Sequence, residues 1–127
     1  MSDKHRNAAI RAATRAYCER MLIDLLPPIR EVAHELGYAV AVHGSLSDDI
    51  DLIAAPWVEH AKGADDLAVA ISGAIAGIVG HCTIAKKGTA LHGEKPHGRR
   101  AYTMLLHPLS YIDLSVMPIA VKADADA

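Results

Sequence analysis

The sequence predicts an α/β (α+β) domain of two layers, a mixed β-sheet of about four strands packed by helices. Two observations carry that prediction. Apolar residues recur at helical spacing in the N-terminal third and again over residues 64–79. Elsewhere the period shortens to the alternation of strands, and the order becomes helix, helix, strand, strand, helix, strand, strand. Of the 127 residues, 51% are apolar, enough for a core that needs no disulfide or metal staple. Phe is absent, so that core is built from Leu, Ile, Val, Ala and Met.

Over residues 7–26, Ile10, Ala13, Tyr17, Met21 and Leu25 share one helical face, and Arg11, Arg15, Glu19 and Arg20 fill the other. Pro27-Pro28 removes backbone donors and is expected to break or kink this helix. Proline is tolerated in a first turn, so a second helix is expected to start there. It runs through Ile29, Val32, Ala33 and Leu36 and stops at Gly37, a good C-terminal cap. Residues 38–42 form a buried strand that ends at Gly44-Ser45. Residues 49–55 form the next strand, closed by Pro56. Residues 64–79 are an Ala- and Ile-rich helix. Residues 86–100 read as a polar, glycine-bearing, basic loop. Strands over 101–106 and 111–116 follow, joined by the turn His107-Pro108-Leu109-Ser110. Residues 1–118 read as one domain and 119–127 as a frayed tail.

The net charge of −2 gives no overall field that draws nucleic acid. Cys18 and Cys82 supply no disulfide framework and read as reduced thiols of a cytoplasmic protein. The first residues lack the apolar core of a signal peptide. The apolar run over 68–79 is too short to span a bilayer, so no membrane partner is expected. His81, Cys82, His92 and His97 lack the spacing of a common zinc site. His43 reads as a packed strand-end histidine, and Trp57 as a core or edge anchor.

The acids are more informative. Asp49 and Asp51 are two apart on a strand, so their carboxylates project from one face roughly 6.6 Å apart. Ile50 and Leu52 anchor the other face. Asp113, between Ile112 and Leu114, repeats the pattern on a later strand. If the two strands are neighbours, three carboxylates converge, and a divalent cation is the usual way to relieve their repulsion. Gly44-Ser45 offers a turn that a ligand can approach closely, with a hydroxyl and main-chain N–H for phosphate oxygens. Lys86, Lys87, Lys95, Arg99 and Arg100 make the 86–100 loop the most basic stretch. There Lys95 and Arg99 are the candidates to neutralise a phosphate tail.

The run His43-Gly44-Ser45-Leu46-Ser47-Asp48-Asp49-Ile50-Asp51-Leu52-Ile53 resembles the signature of the DNA polymerase beta-type nucleotidyltransferase superfamily. Tyr111-Ile112-Asp113-Leu114-Ser115-Val116 matches that family's third acidic element. The resemblance covers residues 29–118 and is closest to small single-domain members from bacteria and phages. It implies a nucleotidyltransferase-like core. It further implies that Asp49, Asp51 and Asp113 are catalytic and bind Mg2+ (or Mn2+), and that Gly44 and Ser45 contact phosphate. The substrate implied is a nucleoside triphosphate. The reaction implied is in-line attack by a hydroxyl of a protein or nucleic-acid acceptor, with pyrophosphate leaving. The spacer Leu46-Ser47-Asp48 is shorter than the family's usual helix-starting spacer, so a turn and a reduced phosphate cradle are expected. Two alternatives stay open. One is a non-catalytic interaction module of this fold that binds a partner protein or nucleic acid. The other is a metal site for phosphoester hydrolysis. The Ala-rich helices also suit a homo-oligomer, and small family members also act with a cognate partner protein.

Overall fold

Asn7 starts the first helix by accepting a hydrogen bond from the Ile10 N–H at 2.8 Å, the work of an N-cap. The computed structural model describes residues 7–46, 49–107 and 110–119. Helix α1 (Ala8–Glu35) is followed by β1 (Tyr38–His43), β2 (Ile50–Pro56) and α2 (Ala64–Val79). Short strands β3 (Thr83–Ala85) and β4 (Gly93–Glu94) come next, then the long hairpin strands β5 (Arg100–His107) and β6 (Ser110–Val116).

The expected break at Pro27-Pro28 does not occur, and both prolines lie inside α1. Their missing N–H groups leave the carbonyls of Ile23 and Asp24 without helical donors. Ile23 is 64% exposed and Asp24 is exposed, so water reaches that side of the helix. On the neighbouring face Leu25 and Ile29 are fully buried. Each such side chain contributes about 1.5–3 kcal/mol, which together offsets much of the roughly 3 kcal/mol penalty that each of the two helical prolines carries. Pro28→Ala restores one helical donor and is expected to stabilise the protein by about 1 kcal/mol, read as a rise of a few degrees in Tm. An unchanged or lower Tm would show that the helix has adapted fully to proline. The predicted apolar face is also shorter than expected. Ile10 and Tyr17 are about half exposed, and burial along α1 begins at Cys18. Gly37, at φ +94°, follows the last turn as the spacing predicts.

The sheet has the order β1-β2-β6-β5-β3, with β4 paired to β5. Strands β2 and β6 are parallel and the other pairs antiparallel, so the sheet is mixed. The four long strands are those the sequence predicts. β3 and β4 bring the total to six, β4 arising within the expected loop. Helix α1 packs on β1 and β2, and α2 packs on β5 and β3. Strand alternation turns Tyr38, Val40, Leu52, Ala54, Tyr102, Met104, Leu114 and Val116 into that helical layer, where they are buried. The opposite face of the sheet carries the polar residues. The hairpin turn expected at 107–110 joins β5 and β6, although its tip, 108–109, and all of the tail beyond Ile119 lie outside the described residues. Among the described residues no helix is long and apolar enough to cross a membrane. Cys18 is buried, Cys82 is half-buried, and no disulfide joins them.

Candidate functional site

Strand register assembles the site. Asp51 on β2 lies directly opposite Asp113 on the parallel strand β6. His43 on β1 opposes Asp51, and Thr103 on β5 opposes Asp113. These pairings make one row, His43–Asp51–Asp113–Thr103, across adjacent strands about 4.8 Å apart, on the face away from the helices. Ile50, Leu52, Ile112 and Leu114, each at most 4% exposed, hold the two acidic strands down into the core. Thr103 Oγ1 donates a long hydrogen bond, 3.4 Å, to Asp113 Oδ1. Asp49 immediately precedes β2 rather than lying within it, yet still joins the cluster. One oxygen from each of Asp49, Asp51 and Asp113 lies within 4.8 Å of the others.

Gly44 is required by this arrangement. Its φ is +82°, and a Cβ there would stand 2.6 Å from Asp51 Oδ2. Ser45 follows on the exposed side. Among the described residues no helix separates β1 from β2, as the short spacer predicts, although residues 47–48 of that spacer lie outside them.

The carboxylates perturb one another. Burial, with the hydrogen bond and charge of Asp113, pushes Asp49 up to about 6, against the opposing effect of Tyr111 and Asp51 hydrogen bonds. Burial and the Asp49 charge raise Asp51, while His43 acts the other way. The cluster relieves its repulsion by keeping a proton when no cation is bound. The folded pKa of Asp49 lies above its ordinary 3.8, so the native state binds the extra proton in the window from 3.8 to about 6. Metal-free stability therefore falls as pH rises through that window. A cation competes with the same proton, so metal affinity rises over it. Melting curves from pH 4.5 to 7 should show Tm falling in EDTA while the stabilisation by Mn2+ grows. Parallel trends in the two series would contradict a shared proton and metal site.

The donor set is entirely carboxylate oxygen, which suits a hard cation rather than a thiophilic one. Two oxygens on one Mg2+ stand about 3 Å apart when adjacent and about 4.2 Å when opposite, so three carboxylate oxygens within 4.8 Å of one another would close further around one ion.

The row opens into a cavity of about 430 Å³, within the range of ligand sites. Its floor is the next row along the sheet, Ser115, Ala101 and Gly93, whose small side chains leave the space. Lys95 and Arg99, the cations expected from the basic loop, share the lining with Asp51 and Asp113, and Lys87 joins them. His43 is exposed and lines the cavity, which corrects its reading as a packed strand-end residue. Strand parity turns it to the open face with Asp51. Trp57 follows the far end of β2 from the acids, is 54% exposed, and stacks on His34 at 5.1 Å between ring centres. It takes no part in the site. Among the described residues His81, Cys82, His92 and His97 are not gathered into a metal-ligand cluster. Sequence reasoning missed Thr103 and did not single out Lys87. A threonine two residues into a predicted strand carries no signal until register places it beside Asp113.

Comparison with protein-family models, with curated proteins and with solved structures finds no match to this chain.

Proposed function

We propose that this protein is a cytoplasmic nucleotidyltransferase of the DNA polymerase beta type, dependent on Mg2+ or Mn2+. It moves a nucleoside monophosphate from a nucleoside triphosphate to a hydroxyl of a protein or nucleic-acid acceptor. The observation that carries this reading is a cavity lined by carboxylates of a three-acid cluster and also by Lys87, Lys95 and Arg99. Carboxylates alone suit a cation, and cations alone suit an anion. Both together suit a metal–polyphosphate complex. Bound Mg2+ supplies Lewis-acid polarisation of the reacting phosphoryl group.

The chain's own residues do the rest. Asp49, Asp51 and Asp113 hold the cation. Lys87, Lys95 and Arg99 neutralise the triphosphate tail and the charge that builds on the departing pyrophosphate. Gly44 lets the backbone come close, and Ser45 offers its hydroxyl and N–H to phosphate oxygen. The acceptor oxygen forms a bond to the α-phosphorus as the bond from that phosphorus to the bridging oxygen breaks. Pyrophosphate leaves with the electron pair, and the acceptor's proton passes to the carboxylate of Asp113.

Titration calorimetry with Mn2+ and each nucleoside triphosphate tests this reading, paired with product analysis. Metal-dependent triphosphate binding and release of pyrophosphate are expected. Release of inorganic phosphate instead would assign the site to hydrolysis. Absence of metal binding would leave an interaction module of this fold.

A further inference from the structure

The basic segment 86–99 is not anchored by its own strand alone. Strand β4 contributes only Gly93 and Glu94, paired with Ala101 and Arg100 of β5. His92 comes one residue earlier, and alternation turns it to the helical side while Gly93 faces the cavity. There its ring lies against Tyr102, 5.8 Å between centres and tilted by 60°. His92 Nδ1 is 3.2 Å from Asp65 Oδ1, and the Tyr102 hydroxyl donates to the same oxygen at 2.5 Å. His92 Nε2 also lies 3.7 Å from Glu94. Asp65 belongs to the first turn of α2, where a carboxylate is favoured by the helix dipole. Tyr102 is 1% exposed in the middle of the sheet's buried face. The segment is thus tied, near its centre, to the first turn of α2 and to the buried face of β5. Lys87 precedes the tie and Lys95 follows it, and both line the cavity.

We propose that Asp65, His92 and Tyr102 are positioning residues that hold Lys87 and Lys95 beside the carboxylates and so set the affinity for a polyphosphate tail. They do this from the opposite side of the sheet, without contact with metal or phosphate. The proposal rests on the reading of the cavity as a metal–phosphate site. Its physical basis is preorganisation: a segment ordered before the ligand arrives loses less conformational freedom on binding. The rest of the segment is held by few main-chain bonds, among them the reciprocal pair Lys87–Ala90 and the Lys95 N–H to the Arg99 carbonyl.

The test uses the full-length chain with Asp65→Asn, His92→Ala, His92→Gln and Tyr102→Phe, and the probes are Mn2+ alone and inorganic pyrophosphate with Mn2+. Asp65→Asn and His92→Ala are expected to keep Mn2+ affinity within about twofold and to weaken pyrophosphate roughly tenfold. Trypsin should cut after Lys86 and Lys87 at least about threefold faster than in the parent protein. His92→Gln, which keeps a donor, should recover most of the pyrophosphate affinity. Tyr102→Phe keeps the buried ring and removes only the hydroxyl, and should give an intermediate loss if Asp65→Asn does not fold. Unchanged pyrophosphate affinity and unchanged cleavage would overturn the tether and leave the metal site standing. Equal losses of Mn2+ and pyrophosphate binding would reduce the trio to a structural role and overturn the proposal. A parent protein that binds Mn2+ but no pyrophosphate would overturn the phosphate reading, and the proposal with it.

Discussion

Asp49→Asn and Asp51→Asn are expected to weaken the proposed metal-dependent transfer steeply and, in the absence of metal, to raise the melting temperature. Both effects come from the same geometry. The three acids each offer an oxygen within 4.8 Å of the others. Asparagine keeps the shape and loses the charge that a hard cation needs. Mn2+ affinity is expected to fall by roughly 100-fold or more, and transfer by on the order of 1,000-fold. Without metal the effect reverses. The pKa of Asp49 is pushed up to about 6 and that of Asp51 is also raised, so their ionised forms are disfavoured in the folded chain at neutral pH. Removing either charge relieves that repulsion. Calorimetry with Mn2+ and melting curves in EDTA at pH 7 check the two signs. Variants that lose stability and keep metal affinity would mark the acids as ordinary structural residues.

Gly44→Ala is expected to lose both stability and metal binding. At φ +82° an L-residue costs about 1–2 kcal/mol more than glycine. The new methyl would also stand 2.6 Å from Asp51 Oδ2, too close for a real contact, so that oxygen must shift from its observed place in the cluster. A drop of several degrees in Tm should accompany at least a roughly tenfold loss of Mn2+ affinity. The contrast with Asp51→Asn is the informative part. Both lose the metal, but one stabilises the metal-free chain and the other destabilises it. Retention of full Mn2+ affinity in Gly44→Ala would mean that Asp51 does not need its observed position.

The local pieces of this site are legible in the sequence because strand alternation is local. Asp49-Ile50-Asp51 and Ile112-Asp113-Leu114 each declare an acidic face and an anchored face. Their meeting is not local. Nothing in either segment encodes the parallel pairing of β2 with β6, which places Asp51 opposite Asp113 across some sixty intervening residues. The placement of Thr103 and Lys87 beside the acids is not local either. Pro27-Pro28 misleads because the helix rule is local, while the burial of Leu25 and Ile29 that overrides it is tertiary. Strand β4 is too short, at Gly93–Glu94, to stand out from a glycine-bearing loop. His92 likewise reads as one loop histidine among several until Asp65 and Tyr102, distant in sequence, close around it.

The most direct test is a crystal soaked with Mn2+ and a non-hydrolysable nucleoside triphosphate, located by anomalous scattering. A manganese peak bonded to oxygens of Asp49, Asp51 and Asp113 is expected, with the phosphate tail turned toward Lys87, Lys95 and Arg99. A nucleotide or metal bound elsewhere, with those three carboxylates making no bond to manganese, would contradict the proposed site.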